Sequence, residues 1–169
     1  MPRRLISAFM RSGCAITIYA WLLTPPAVSA QHAIPTLTVG QSSYLQSCGG
    51  CHGVDGTSES HLVPSLRNVA GAFLCTRAGR SYLVRLPNIA FANADDATLA
   101  SLLNFVVFDL GGKSAPPDAR PFSSEEVSTL RSNPLKGTSI KRVRKQMVDE
   151  ASQRCARARL LTTDGAPAY

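Results

Sequence analysis

The chemistry of this chain is concentrated in five consecutive residues, Cys48-Gly49-Gly50-Cys51-His52. Two thiols spaced i, i+3 stand about one helical turn apart, and an imidazole follows at once. A C-x-x-C-H pattern reads as covalent attachment of a c-type haem. The thiols of Cys48 and Cys51 add to the two vinyl groups of one porphyrin, and His52 becomes the proximal ligand of the iron. Three other chemistries use cysteine pairs. A structural zinc site needs four ligands, and no second C-x-x-C or H-x-x-x-H follows. A thioredoxin-like redox pair belongs in a βαβ unit, which the pattern of the chain does not offer. A disulfide across the two-residue gap leaves His52 without a role. One covalently bound haem c with its iron is therefore the expected cofactor.

Such a group must be held by flanking elements. Residues 39–48 read as a short helix that places Gly40 and Tyr44 on one face. Gly53-Val54-Asp55-Gly56 is a turn, and Pro64-Ser65-Leu66 follows it. With these residues in view, the sequence from about Val39 to about Leu110 resembles the class I (monohaem) cytochrome c family. The resemblance rests on Gly40, Tyr44, Cys48, Cys51, His52, Gly53 and Pro64-Ser65-Leu66. It implies an all-α, cytochrome c-like fold, and it implies that the Pro64 carbonyl accepts a hydrogen bond from the second nitrogen of His52. The run Gly79-Arg80-Ser81-Tyr82-Leu83-Val84-Arg85-Leu86-Pro87, with Pro121-Phe122 and Glu126-Val127, resembles an exported bacterial subgroup.

Charge divides the 169 residues into three parts. Residues 1–30 carry +3, residues 31–130 carry −2 and residues 131–169 carry +6. The first part has a basic start at Arg3-Arg4, an apolar core over residues 14–23 and small residues at Val28-Ser29-Ala30. This order reads as a secretory signal peptide, and the apolar run is too short to span a bilayer. Export to the periplasm follows, with no membrane association after cleavage. With 44% hydrophobic and 17% charged residues, the chain is neither disordered nor polytopic. The expected organisation is a signal peptide over 1–30, a haem domain over 31–112 and a basic helical C-terminal extension over 113–169.

Asn93-Ala94-Asp95-Asp96 supplies a helix start. Leu99, Leu102, Leu103, Val106 and Val107 then recur at helical spacing until Gly111-Gly112. This closing helix should pack across the helix of Gly40 and Tyr44, with Gly40 allowing close approach and Phe105 joining the contact. Phe73, Tyr82 and Phe91 are expected either as walls of the haem pocket or as ordinary core. A short helix is expected over 124–132, and a basic helix over 138–161 with an apolar stripe of Ile140, Val143, Met147, Ala151 and Cys155. Cys75 and Cys155 either pair with each other or remain separate from one another.

Six-coordinate members of the family place a Met on a loop before the closing helix. Here that loop, residues 83–94, has none. Met147, His61, Asn88 and an open site remain as alternatives, the last or another non-Met site being preferred; Met147 reads as packing and His32 as part of the new N-terminus. The resemblance thus implies a periplasmic electron carrier without catalytic residues of its own. Its partner would be a dehydrogenase, an oxidase or another carrier, and haem-attachment machinery would mature it. Nucleic acid does not suit an exported protein. The second reading is a haem protein whose open sixth position binds small ligands, as a sensor or a peroxidase-like enzyme.

Overall fold

The computed structural model describes residues 36–59, 63–137 and 139–159. The chain divides into Met1–Pro35 and Thr36–Tyr169. The leader, His32 and His61 lie outside the described residues.

All regular structure among the described residues is helical, as expected for an all-α chain. Helix α1 (Val39–Ser47) starts at a capping box. Thr38 Oγ1 accepts the Gln41 N–H at 3.2 Å, and Gln41 Oε1 accepts the Thr38 N–H at 2.9 Å. A single turn, α2 (Gly49–His52), follows directly. Helix α3 (Arg77–Arg85) is capped by Thr76. The 83–94 segment, expected as a loop, continues α3 to Arg85 and then forms a second short turn, α4 (Pro87–Ala90). Pro87 suits a first turn because its missing N–H needs no partner there.

Helix α5 (Asp96–Asn104) is capped by Asp95, whose carboxylate accepts the Thr98 N–H at 2.6 Å. It runs into a π-helical segment, Phe105–Leu110, closed by the Gly111 N–H to the Val106 carbonyl at 2.9 Å. The wider turn re-aims the last apolar residues, leaving Val106, Val107 and Leu110 all buried. Gly112 then takes φ +52° and opens a 3₁₀ turn, Gly112–Ser114.

Helices α1 and α5 cross at Gly40. A Cβ there would strike the Ser101 carbonyl oxygen and come within 2.9 Å of Phe105 Cβ. Beside this crossing the Tyr44 and Phe105 rings meet at 5.5 Å, inclined by 54°. Tyr44 is completely buried and donates its hydroxyl hydrogen to the Gly53 carbonyl at 2.5 Å.

The extension packs onto the preceding helices. Helix α6 (Ser124–Arg131) lies against α3 and α5, and α7 (Ile140–Arg154) lies against α3. Arg80 makes a two-pronged ion pair with Glu126, both contacts at 2.6 Å, and its guanidinium sits 3.9 Å from the centre of the Phe122 ring. Arg131 donates to the carbonyls of Ala90, Ala92 and Ala94 and to Asp96. Cys75 and Cys155 form a disulfide with their Cα atoms 6.1 Å apart. The expected single basic helix ends early: Cys155 is extended at the end of α7, and a 3₁₀ turn, Ala156–Arg159, follows. Val148, missing from the expected stripe, is buried with Ala151.

Replacing Gly40 by Ala tests the crossing. Ala favours a helix by about 1 kcal/mol over Gly, but backbone must move to admit the methyl group, and such overpacking costs about 1–3 kcal/mol. Gly40→Ala is therefore expected to lower the urea midpoint, with an unchanged slope.

Candidate cofactor site

Of the residues singled out by the sequence for the cofactor, Cys48, His52 and Pro64 converge on one cavity, while Cys51 is not part of its wall. Counting the open space at its mouth, it encloses about 740 Å³. Cys48, His52 and Pro64 line one part of it. Leu102, Leu103 and Val106 from α5 and its π-helical continuation line another. Phe73, Tyr82, Leu83, Leu86 and Ile89 complete the apolar wall, so two of the three expected aromatic walls are in place. Phe91 is not among them: it follows the short turn α4 and is 66% exposed.

His52 Nδ1 lies 2.9 Å from the Pro64 carbonyl oxygen. A carbonyl only accepts, so Nδ1 carries the proton and donates it there. The lone pair of a neutral His52 is then on Nε2, the atom left to bind a metal. Cys48 is half-buried, Cys51 is exposed, and both are free thiols. Burial pushes the Cys48 thiol up from its ordinary range, and the neighbouring Cys51 adds to this. Two free thiols, an imidazole fixed in one tautomer and an apolar wall beside them fit a thioether-linked haem. Among the described residues no three His, Cys, Asp or Glu side chains come together as a metal cage.

The candidates for a sixth ligand separate. Asn88 lines the cavity. Met147 is half-buried against the core and is not part of the cavity wall. Its place in the α7 stripe accounts for this, since the stripe packs on the body of the protein. His61 lies outside the described residues. Among the described residues the wall contains no Met and no His besides His52.

One wall residue carries no signal in the sequence. Arg144, on α7, reaches the cavity. In the sequence it is one of many cations in a basic helix, and nothing in its spacing distinguishes it from its neighbours.

Burial raises both Tyr44 and Tyr82 from 10 to about 12, against a smaller opposing effect of Arg144 on Tyr82. The fold holds the phenol protons more tightly than the unfolded chain does. This contribution to stability is complete below pH 10 and is lost as the pH rises to about 12. Urea midpoints are expected to fall across that interval, and Tyr82→Phe should make the fall shallower.

No family model matches the chain, and no solved structure matches it. Two curated relatives do, both named cytochrome c-552 and both from Thermus thermophilus. The first is 25% identical over 126 residues, covering 64% of this chain and 95% of the relative. The second, from a particular strain of the same organism, is 25% identical over 126 residues, covering 64% of this chain and 84% of its own length. The chain is thus similar to a cytochrome c over 64% of its length, and the helical fold of its described residues agrees with that similarity.

Proposed function

We propose that the protein is an exported, periplasmic monohaem cytochrome c that passes single electrons between redox partners. The observation that carries this reading is the His52–Pro64 hydrogen bond at the edge of an apolar cavity that Cys48 also lines. Cys48 and Cys51 would tether the haem through thioether bonds, and His52 would bind the iron through Nε2. When bound, the haem supplies an iron that gains and loses one electron. The chain's own residues do the rest. The Pro64 carbonyl orients His52 and raises its basicity. The aliphatic and aromatic wall excludes water and lowers the local dielectric, which sets how far the positive ferric state is disfavoured. The partner would be a dehydrogenase, an oxidase or another carrier. Exposed Lys141, Arg142 and Lys145 on α7 suit steering toward an acidic partner.

A second reading is favoured by the composition of the wall, which among the described residues holds no Met and no second His. An open sixth position would bind small diatomic ligands. The absorption spectrum separates the two: a low-spin spectrum unmoved by carbon monoxide supports the carrier, and a high-spin spectrum that shifts supports ligand binding. In either case Met147→Ala is expected to leave the spectrum unchanged.

Covalent attachment is tested on a denaturing gel stained for haem peroxidase activity. Protein matured with a functional haem-attachment system should stain. Cys48→Ala and Cys51→Ala should each weaken the band, and the double variant should abolish it. An unstained wild-type band would overturn the proposal.

A further inference from the structure

Two polar groups on the cavity wall have no acceptor among the described residues. Tyr82 is 6% exposed, and among the described residues its hydroxyl makes no hydrogen bond. Buried hydroxyls are ordinarily satisfied, and leaving one unpaired costs about 1–3 kcal/mol. Arg144 is half-buried, and its guanidinium makes neither an ion pair nor a hydrogen bond among the described residues. Its contact is with Phe73, whose ring centre is 6.0 Å from the guanidinium carbon. That is the outer limit of a cation–π interaction, so Phe73 does not account for a cation on an apolar wall. Phe73 stacks on Tyr82 at 5.4 Å, which brings the hydroxyl-bearing ring and the guanidinium to the same part of the cavity. Arg80 and Arg131, by contrast, have their guanidinium groups engaged by carboxylates and backbone carbonyls.

A guanidinium and a phenol are both hydrogen-bond donors, and a carboxylate accepts from both at once. The haem expected from Cys48, Cys51 and His52 carries two carboxylate side chains on its porphyrin. Resting on the function proposed above, we infer that helix α7 is part of the cofactor site and that Arg144, with Tyr82 beside it, binds one of these carboxylates. The extension then contributes to binding the haem as well as covering the fold. The Cys75–Cys155 disulfide serves the same end: it fixes the end of α7 to the segment that carries Phe73.

The titratable groups on the wall among the described residues are Cys48, His52, Tyr82 and Arg144. Thioether formation removes Cys48 and iron ligation engages His52, which leaves Arg144 and Tyr82 to set the ionisation of a carboxylate placed there. A nearby cation lowers the pKa of a carboxylate by about 1–3 units. The experiment uses haem-loaded wild type, Arg144→Gln, Arg144→Lys and Tyr82→Phe, each first shown by gel staining to carry covalent haem. An unstained wild type overturns the parent reading, whereas the arms below test Arg144 alone. The midpoint potential is followed against pH to locate the redox-linked ionisation, and azide binding to the ferric protein is titrated alongside. Arg144→Gln is expected to raise the pH of that ionisation by about one unit, with Arg144→Lys recovering most of the shift and Tyr82→Phe moving it less in the same direction. Azide affinity is expected to change by less than about twofold. An ionisation that stays in place in Arg144→Gln overturns the inference. A tenfold loss of azide affinity without a shifted ionisation also overturns it and reassigns Arg144 to a free anion at the iron.

Discussion

The site depends on how closely α1 approaches α5. Gly40 lies where any side chain would meet the Ser101 carbonyl, so the two backbones cross nearly in contact. That crossing fixes two things together. It directs the end of α1 into the α2 turn that carries Cys51 and His52, and it places Leu102, Leu103 and Val106 on the wall of the cavity that His52 also lines. Tyr44 keeps the same geometry from the other side: its ring rests on Phe105 and its hydroxyl holds the Gly53 carbonyl just past His52. The Pro64 carbonyl then needs only to meet Nδ1 for the imidazole to have one orientation. Each of these contacts uses a residue that other parts of the same arrangement require.

The extension makes the far wall rigid. The segment after α3 packs Leu86 and Ile89 on the core, and its backbone carbonyls at Ala90, Ala92 and Ala94 would otherwise need other partners. Arg131 binds all three, and Asp96 completes its pairing. Arg85 adds a bond to the Asn133 carbonyl at 2.6 Å, and Leu135 donates back to the Arg85 carbonyl at 2.9 Å. Half-buried, multidentate arginines of this kind are worth more than exposed pairs such as Lys145–Asp149. The cross-link between Cys75 and Cys155 joins residues 80 positions apart and so restricts the unfolded chain as well as the native one.

An apolar wall with few polar members is the setting in which each polar member counts. In a medium of low dielectric, a cation such as Arg144 acts more strongly on a nearby charge than it would in water. The potential of an iron held there would respond to that balance as well as to its ligands. Cations on the outer face of α7 are screened within about 8–10 Å and act on encounter with a partner rather than on the site.

By itself the sequence determined the chemistry and much of the helical order. C-x-x-C-H is a local covalent requirement, and it is legible without any fold. The start of α5 was legible for a similar reason: its cap is satisfied by residues within three positions. The relation of Pro64 to His52 came from resemblance, and the geometry bears it out at a separation of 12 residues. Only the tertiary structure decided what depends on long-range placement. The pairing of Cys75 with Cys155 requires the tail to return to the body. The exposure of Phe91 requires α4 to turn it outward, although its residue type suits a wall equally well. The π-helical end of α5 follows from packing, because the apolar spacing there reads as an ordinary helix. Arg144 is the clearest case: in a helix crowded with cations, only the side on which α7 docks selects which one faces the cavity.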